Sequence, residues 1–301
     1  MNKENLQQFE IPSYISFLND SDQLQKILVT TSVSMAEIYL QGAHVTSFQK
    51  KGEAPLLFAS EAMKGAHGKI VHGGIPICFP WFGIHEGEKL SHGFARTTDW
   101  KLVETEMISE EAVLLRFELP SEPMIASGWP PVKAQLIVTI SSELTLELLL
   151  TNTTEHDFIF EDCFHAYFFV GDISQVTIAG LKNLDYLDKV EDLACKHEIS
   201  DAIPIVGETN RIYLQSTGTI EINDRSLQRL IRIEKRDSQS TVVWNPWILK
   251  SHAWPDLHDD DYQKFLCVES GNVAESRKNV APGATSSMKV TWGTICIEKE
   301  K

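Results

Sequence analysis

The sequence predicts an all-β chain, a large antiparallel β-sandwich with a few short helices. Three observations predict it. Apolar and polar residues alternate with a period of two in many short segments, as half-buried strands require. Helical periodicity is confined to short stretches. No strand–helix–strand rhythm runs along the chain, which sets aside a TIM barrel or a Rossmann fold.

In chain order, a short helix is expected over residues 23–28, overlapping a strand over 27–31, followed by a strand over 36–40. A second short helix is expected over 61–65. Val113, Leu115, Phe117 and Leu119 then alternate with Leu114, Arg116 and Glu118. Leu136, Val138 and Ile140 alternate with Gln135, Ile137 and Thr139, and Leu144, Leu146, Leu148 and Leu150 do so around Thr145 and Glu147. Further strands are expected over 176–178, 211–214, 230–234 and 241–244, and a last short helix over 260–265. Met288, Val290, Trp292 and Thr294 mark a strand near the C-terminus. No repeat, linker or composition shift divides the chain, so a single domain over 1–301 is expected.

Composition narrows the functions. The 301 residues are 43% apolar and 23% charged, enough apolar surface to offset the ordering entropy that keeps polar chains disordered. With 27 Lys+Arg against 42 Asp+Glu the net charge is −15, which argues against a nucleic-acid partner but leaves room for one cationic pocket. Cys78, Cys163, Cys195, Cys267 and Cys296 are scattered, odd in number and without a CxxC, so free buried thiols are expected rather than disulfides or zinc ligands. The N-terminal residues lack the basic start and apolar core of a signal peptide, and no apolar stretch approaches the ~20 residues of a membrane span. A cytoplasmic monomer that touches no membrane is the expectation.

Four segments break the strand pattern. Residues 72–83, HGGIPICFPWFG, pack two prolines, three aromatics and a run of glycines into a rigid loop, read as an aromatic wall or as a packed corner between strands. Residues 91–96, SHGFAR, place Ser91, His92 and Arg96 in one short turn; the guanidinium fork suits hydroxyls, carboxylates or phosphates, and equally a surface ion pair. His165 sits within an apolar, aromatic strand, as a core histidine or as the group that titrates nearest working pH. Glu269 ends an apolar strand before Ser-Gly-Asn, as a turn-closing carboxylate or a general base. Aromatic faces with a few directed polar groups are what a sugar site needs. His67, His72, His85 and His92 lack the spacing of a metal site, and no GxSxG is present, so neither a metal nor a serine hydrolase is expected.

Taken together these segments resemble the glucose-6-phosphate 1-epimerase family (D-hexose-6-phosphate mutarotases) within the aldose 1-epimerase superfamily. The resemblance is carried in order by residues 73–83, HGFAR at 92–96, the His165 segment, WNPW at 244–247, DYQK at 261–264, VESGNV at 268–273 and TWGTI at 291–295. It implies a galactose-mutarotase-like β-sandwich with its site in a groove on one sheet. It implies interconversion of the α and β anomers of a hexose 6-phosphate without a cofactor, with His165 as general acid and Glu269 as general base. The resting states this needs are an ionised Glu269 and a protonated His165, which their proximity would favour. Substrate contacts are expected from His72, Ser91, His92, Arg96 and Asn210. Three of these depart from the family pattern: His72 stands where many relatives carry Arg, Asn210 where Asp is frequent, and Ser91 where Gln is frequent. A mutarotase of an unphosphorylated sugar and a non-catalytic sugar-binding protein are the alternatives on the same fold.

Overall fold

Alternation becomes burial along Leu144–Thr151, where the four leucines are buried and the residues between them half-buried. The computed structural model describes residues 6–20, 24–60, 68–69, 72–254 and 257–297. Among them, nine strands form one antiparallel sheet. Its order is Ile203–Pro204, Val176–Ala179, Ile220–Asp224, Arg229–Arg236, Thr285–Cys296, Leu144–Thr151, Lys133–Ile140, Ala112–Glu118 and Lys101–Ser109.

A second antiparallel sheet runs Ala194–His197, Asp185–Asp188, Thr209–Tyr213, Ser240–Asn245, Phe265–Asn272, Asp162–Phe164 and Ile77–Cys78, with Tyr167–Phe169 also paired to Phe265–Asn272. The two sheets share one apolar core. Leu146, Leu148, Ile231 and Trp292 from the first meet Phe164, Phe168, Val243 and Val268 from the second, each buried side chain worth about 1.5–3 kcal/mol. A four-stranded sheet, Ile15–Asn19 to His44–Lys50, extends that core. Ser240–Asn245 and Phe265–Asn272 are buried at every position, because their second face is covered too. That covered face is where the pocket lies.

The six short strands expected outside the alternating leucine-rich segments lie within two residues of the observed ones. The helices differ. Residues 25–28 belong to the strand Gln25–Thr30, where buried Ile27 and Val29 alternate with their neighbours and pair on both sides; residue 23 lies outside the described residues. Residues 61–65 also lie outside them. Over 260–265 there is a single 3₁₀ turn, Asp261–Gln263, and Phe265 already begins a strand. Two short α-helices that the sequence reading did not flag are Glu122–Ala126 and Trp247–Ser251. All five cysteines are free, but burial holds for Cys78, Cys163 and Cys267 and fails for Cys195 and Cys296, at a sheet edge and a strand end. Among the described residues no helix is long and apolar enough to cross a membrane.

Candidate active site

Strand register builds the site. Glu269, Val242, Ile212 and Leu187 form one row across four strands. Two residues along lies the row Tyr167, Cys267, Trp244 and Asn210; two residues the other way lies Cys78, Cys163, Gly271 and Ser240. Side chains two apart share a face, so these rows look away from the core that holds Val243, Val268 and Phe164.

His165 lies on this face at a gap in the ladder that leaves the register unchanged, opposite Glu269. Asp162–Phe164 and Tyr167–Phe169 both pair with Phe265–Asn272, and between them the His165 N–H donates to the Pro76 carbonyl at 3.0 Å. The histidine is therefore not inside a continuous strand, as its apolar neighbours suggested. Nor does Glu269 end one: Ser270, Gly271 and Asn272 go on pairing, because Gly271 lets the Asp162 carbonyl come close. The shared register leaves His165 Nε2 3.3 Å from Glu269 Oε1.

A cavity of about 350 Å³ opens over this pair. His165, Glu269, His72, Ser91, His92, Arg96 and Asn210 all line it. Phe82, Tyr167, Val242, Trp244, Trp254, Lys189 and Lys250 complete the lining. Its size is that of a small-molecule site. The aromatic wall is not where residues 72–83 placed it. Phe79 and Trp81 are buried in the core and only Phe82 reaches the cavity. Trp244 and Trp254 form the wall, stacked at 5.2 Å, with His72 stacked on Trp254 at 4.5 Å and Tyr167 on His165 at 4.9 Å.

The 91–96 turn closes one side. His92 and Gly93 both take positive φ, 61° and 73°, and a Cβ on Gly93 would collide with the Phe79 carbonyl. Arg96 is buried, and its Nη2 donates to the Ser91 carbonyl at 2.7 Å and the Ser91 hydroxyl at 3.0 Å. Among the described residues no carboxylate pairs with it, so the surface ion-pair reading fails. His92 Nδ1 accepts the Gly83 N–H at 3.3 Å, which places the ring proton on Nε2. Burial first, and then the charge of Arg96, pull its pKa down to about 3, so the ring is neutral.

The same forces act on the pair. Burial pushes Glu269 up to about 8, against the pull of the Cys163 hydrogen bond and of Lys189 and Arg96. Burial drives His165 well below its ordinary value, helped by His92, Arg96 and His72. The expectation of an ionised Glu269 beside a protonated His165 is thus corrected for the resting pocket: desolvation outweighs their attraction and keeps both groups neutral, with the shared proton on the carboxyl.

Among the described residues of the lining, Glu269 is the one acid, against Arg96, Lys189 and Lys250. Lys189 sits over the Phe82 ring and Lys250 is held by Glu208 at 2.5 Å. Neither lysine stood out in the sequence, since neither belongs to a recognisable binding pattern and only the fold brings it to the cavity.

The sequence profile of the aldose 1-epimerase family matches residues 25–292. The chain belongs to the aldose 1-epimerase family. Its relatives within that family include a protein of Escherichia coli K12 named "Putative glucose-6-phosphate 1-epimerase", 33% identical over 262 residues, 85% of this chain and 86% of that one. The crystal structure of YeaD from Salmonella typhimurium superposes with a TM-score of 0.89 at 29% identity, covering 95% of each chain. A galactose mutarotase-like protein from Lactobacillus casei shares the fold, with a TM-score of 0.68 at 17% identity over 90% of this chain and all of that one. Aldose 1-epimerases are isomerases, and as a member of that family this chain is an isomerase built on an antiparallel β-sandwich.

Proposed function

We propose that this aldose 1-epimerase interconverts the α and β anomers of a hexose 6-phosphate, glucose 6-phosphate foremost, with side chains alone and no cofactor. The observation that carries the reading is the His165–Glu269 pair at 3.3 Å on the floor of a cavity rich in cations and aromatic faces.

The pair holds one proton between its two members. Transfer from Glu269 to His165 gives the reactive form, a carboxylate beside an imidazolium. Glu269 then takes the proton from the C1 hydroxyl while His165 protonates the ring oxygen, and the C1–O5 bond breaks to leave the open-chain aldehyde. Rotation about C1–C2 presents the other carbonyl face. The C5 hydroxyl attacks C1, its proton returns to His165, and Glu269 gives its own back to O1. Both catalytic groups end as they began.

The remaining residues hold the sugar. Trp244 and Trp254 offer ring faces to its C–H surfaces. Neutral His92 donates from Nε2, and Asn210 and Ser91 supply further polar contacts. Arg96, Lys189 and Lys250 form the positive side of the cavity, with His72 beside them, which suits a phosphate dianion on a chain of net charge −15. The proposed working unit is a monomer in the cytoplasm, where sugar phosphates reside.

Glu269→Gln tests the assignment. It should lower the anomerisation rate of glucose 6-phosphate about 10²–10⁴-fold. Calorimetry should still detect sugar-phosphate binding within a few-fold of the parent. A variant as fast as the parent would remove Glu269 from the mechanism.

A further inference from the structure

Each oxygen of the Glu269 carboxylate has its own neighbour. Oε1 faces His165 Nε2 at 3.3 Å, and Oε2 takes the Cys163 thiol, with Sγ 3.6 Å away. A thiol is a weak donor, but this one has little freedom. Cys163 is fully buried and paired in register with Gly271 on one side and Cys78 on the other. Gly271 makes the room: a Cβ there would stand 2.8 Å from Cys163 Cβ and 2.9 Å from its Sγ. Burial, and then the Glu269 charge, push the thiol well above its ordinary value. Sγ therefore keeps its proton and donates to Oε2. The other charged or titratable groups around the carboxylate are His165, Arg96, Lys189, Tyr167, Cys78 and Cys267 on its own strand.

We infer that Cys163 is a positioning residue for Glu269, its S–H fixing Oε2 so that Oε1 stays turned to His165 and the ionised carboxylate is favoured. This rests on Glu269 being the reacting carboxylate. The bond strengthens when the acceptor carries charge, so it helps move the shared proton from Glu269 to His165 before the ring opens. The contact is hidden in the sequence, because Cys163 and Glu269 are 106 positions apart and meet only through the pairing of Asp162–Phe164 with Phe265–Asn272.

The test is the pH profile of kcat/KM for anomerisation of α-glucose 6-phosphate by the parent, Cys163→Ala, Cys163→Ser and Glu269→Gln. The parent should lose activity as pH rises through about 8, where Glu269 gives up the shared proton. Without the thiol donor Glu269 holds that proton more tightly. Cys163→Ala should therefore move the alkaline limb up by about one unit and lower the plateau about tenfold. A lower rate over a wider alkaline range is not what a damaged fold produces. Cys163→Ser keeps a donor and should bring both values back toward the parent. An alanine variant whose limb does not move overturns the inference, as does a serine variant that rescues neither value. If Glu269→Gln is inactive while Cys163→Ala matches the parent, only the role of the thiol falls. If Glu269→Gln is as fast as the parent, the base assignment falls and this inference with it.

Discussion

Burying a carboxyl against an imidazole leaves each group a poor charge carrier until the other exchanges a proton with it. Burial drives Glu269 and His165 toward their neutral forms, and the same low dielectric strengthens every field the substrate brings to them. A phosphate dianion among Arg96, Lys189 and Lys250 adds negative potential, which stabilises the imidazolium form of His165. His72 brings an imidazole, stacked on Trp254, to the position where the resemblance leads one to expect an arginine. Replacing His72 with Arg should raise kcat/KM for glucose 6-phosphate relative to free glucose by about tenfold, the worth of one added charge-assisted hydrogen bond. An unchanged ratio would remove position 72 from phosphate recognition. Much of the lining was legible at this scale, because Arg96, His92, His165 and Glu269 stood out against apolar or glycine-rich neighbours. Lys189, Lys250 and Trp254 were not, since a lone lysine or tryptophan outside a motif carries no signal until the fold points it inward.

At the scale of elements, the site depends on strand register and on one irregular turn. The pairing on both sides of His165–Ala166 keeps one register and leaves His165 opposite Glu269, whereas the positive-φ pair at His92–Gly93 turns a side chain that an extended chain would have aimed elsewhere. Gly93→Ala tests this directly. A methyl group there meets the Phe79 carbonyl in a backbone conformation that alanine resists, so unfolding free energy should fall by about 2–4 kcal/mol, with loss of activity as His92 and Arg96 are displaced. A denaturation midpoint equal to the parent's would show that the turn tolerates a side chain. The strands themselves were readable from their two-residue period. The short helices were not: Gln25–Thr30 resembled one turn of amphipathic helix in isolation, and only its pairing on both sides decides for a strand. The interruption at His165 left no trace in sequence, because Phe164, Tyr167 and Phe168 around it are as apolar as a strand would make them.

At the scale of the whole molecule, two large sheets divide the work. The nine-stranded sheet gives the apolar face that closes the core, and the other spends its second face on the cavity. An acidic chain thereby keeps a basic recess, in which a sugar phosphate would meet Arg96, Lys189 and Lys250 beside the pair. The central claim is that this recess anomerises a phosphorylated hexose. Two-dimensional exchange NMR on glucose 6-phosphate, run beside free glucose and free galactose with and without the protein, tests it most directly. The α/β exchange should run well above the spontaneous rate for the phosphate ester and little above it for the free sugars. Exchange accelerated for a free sugar alone, or for none of the three, would contradict it.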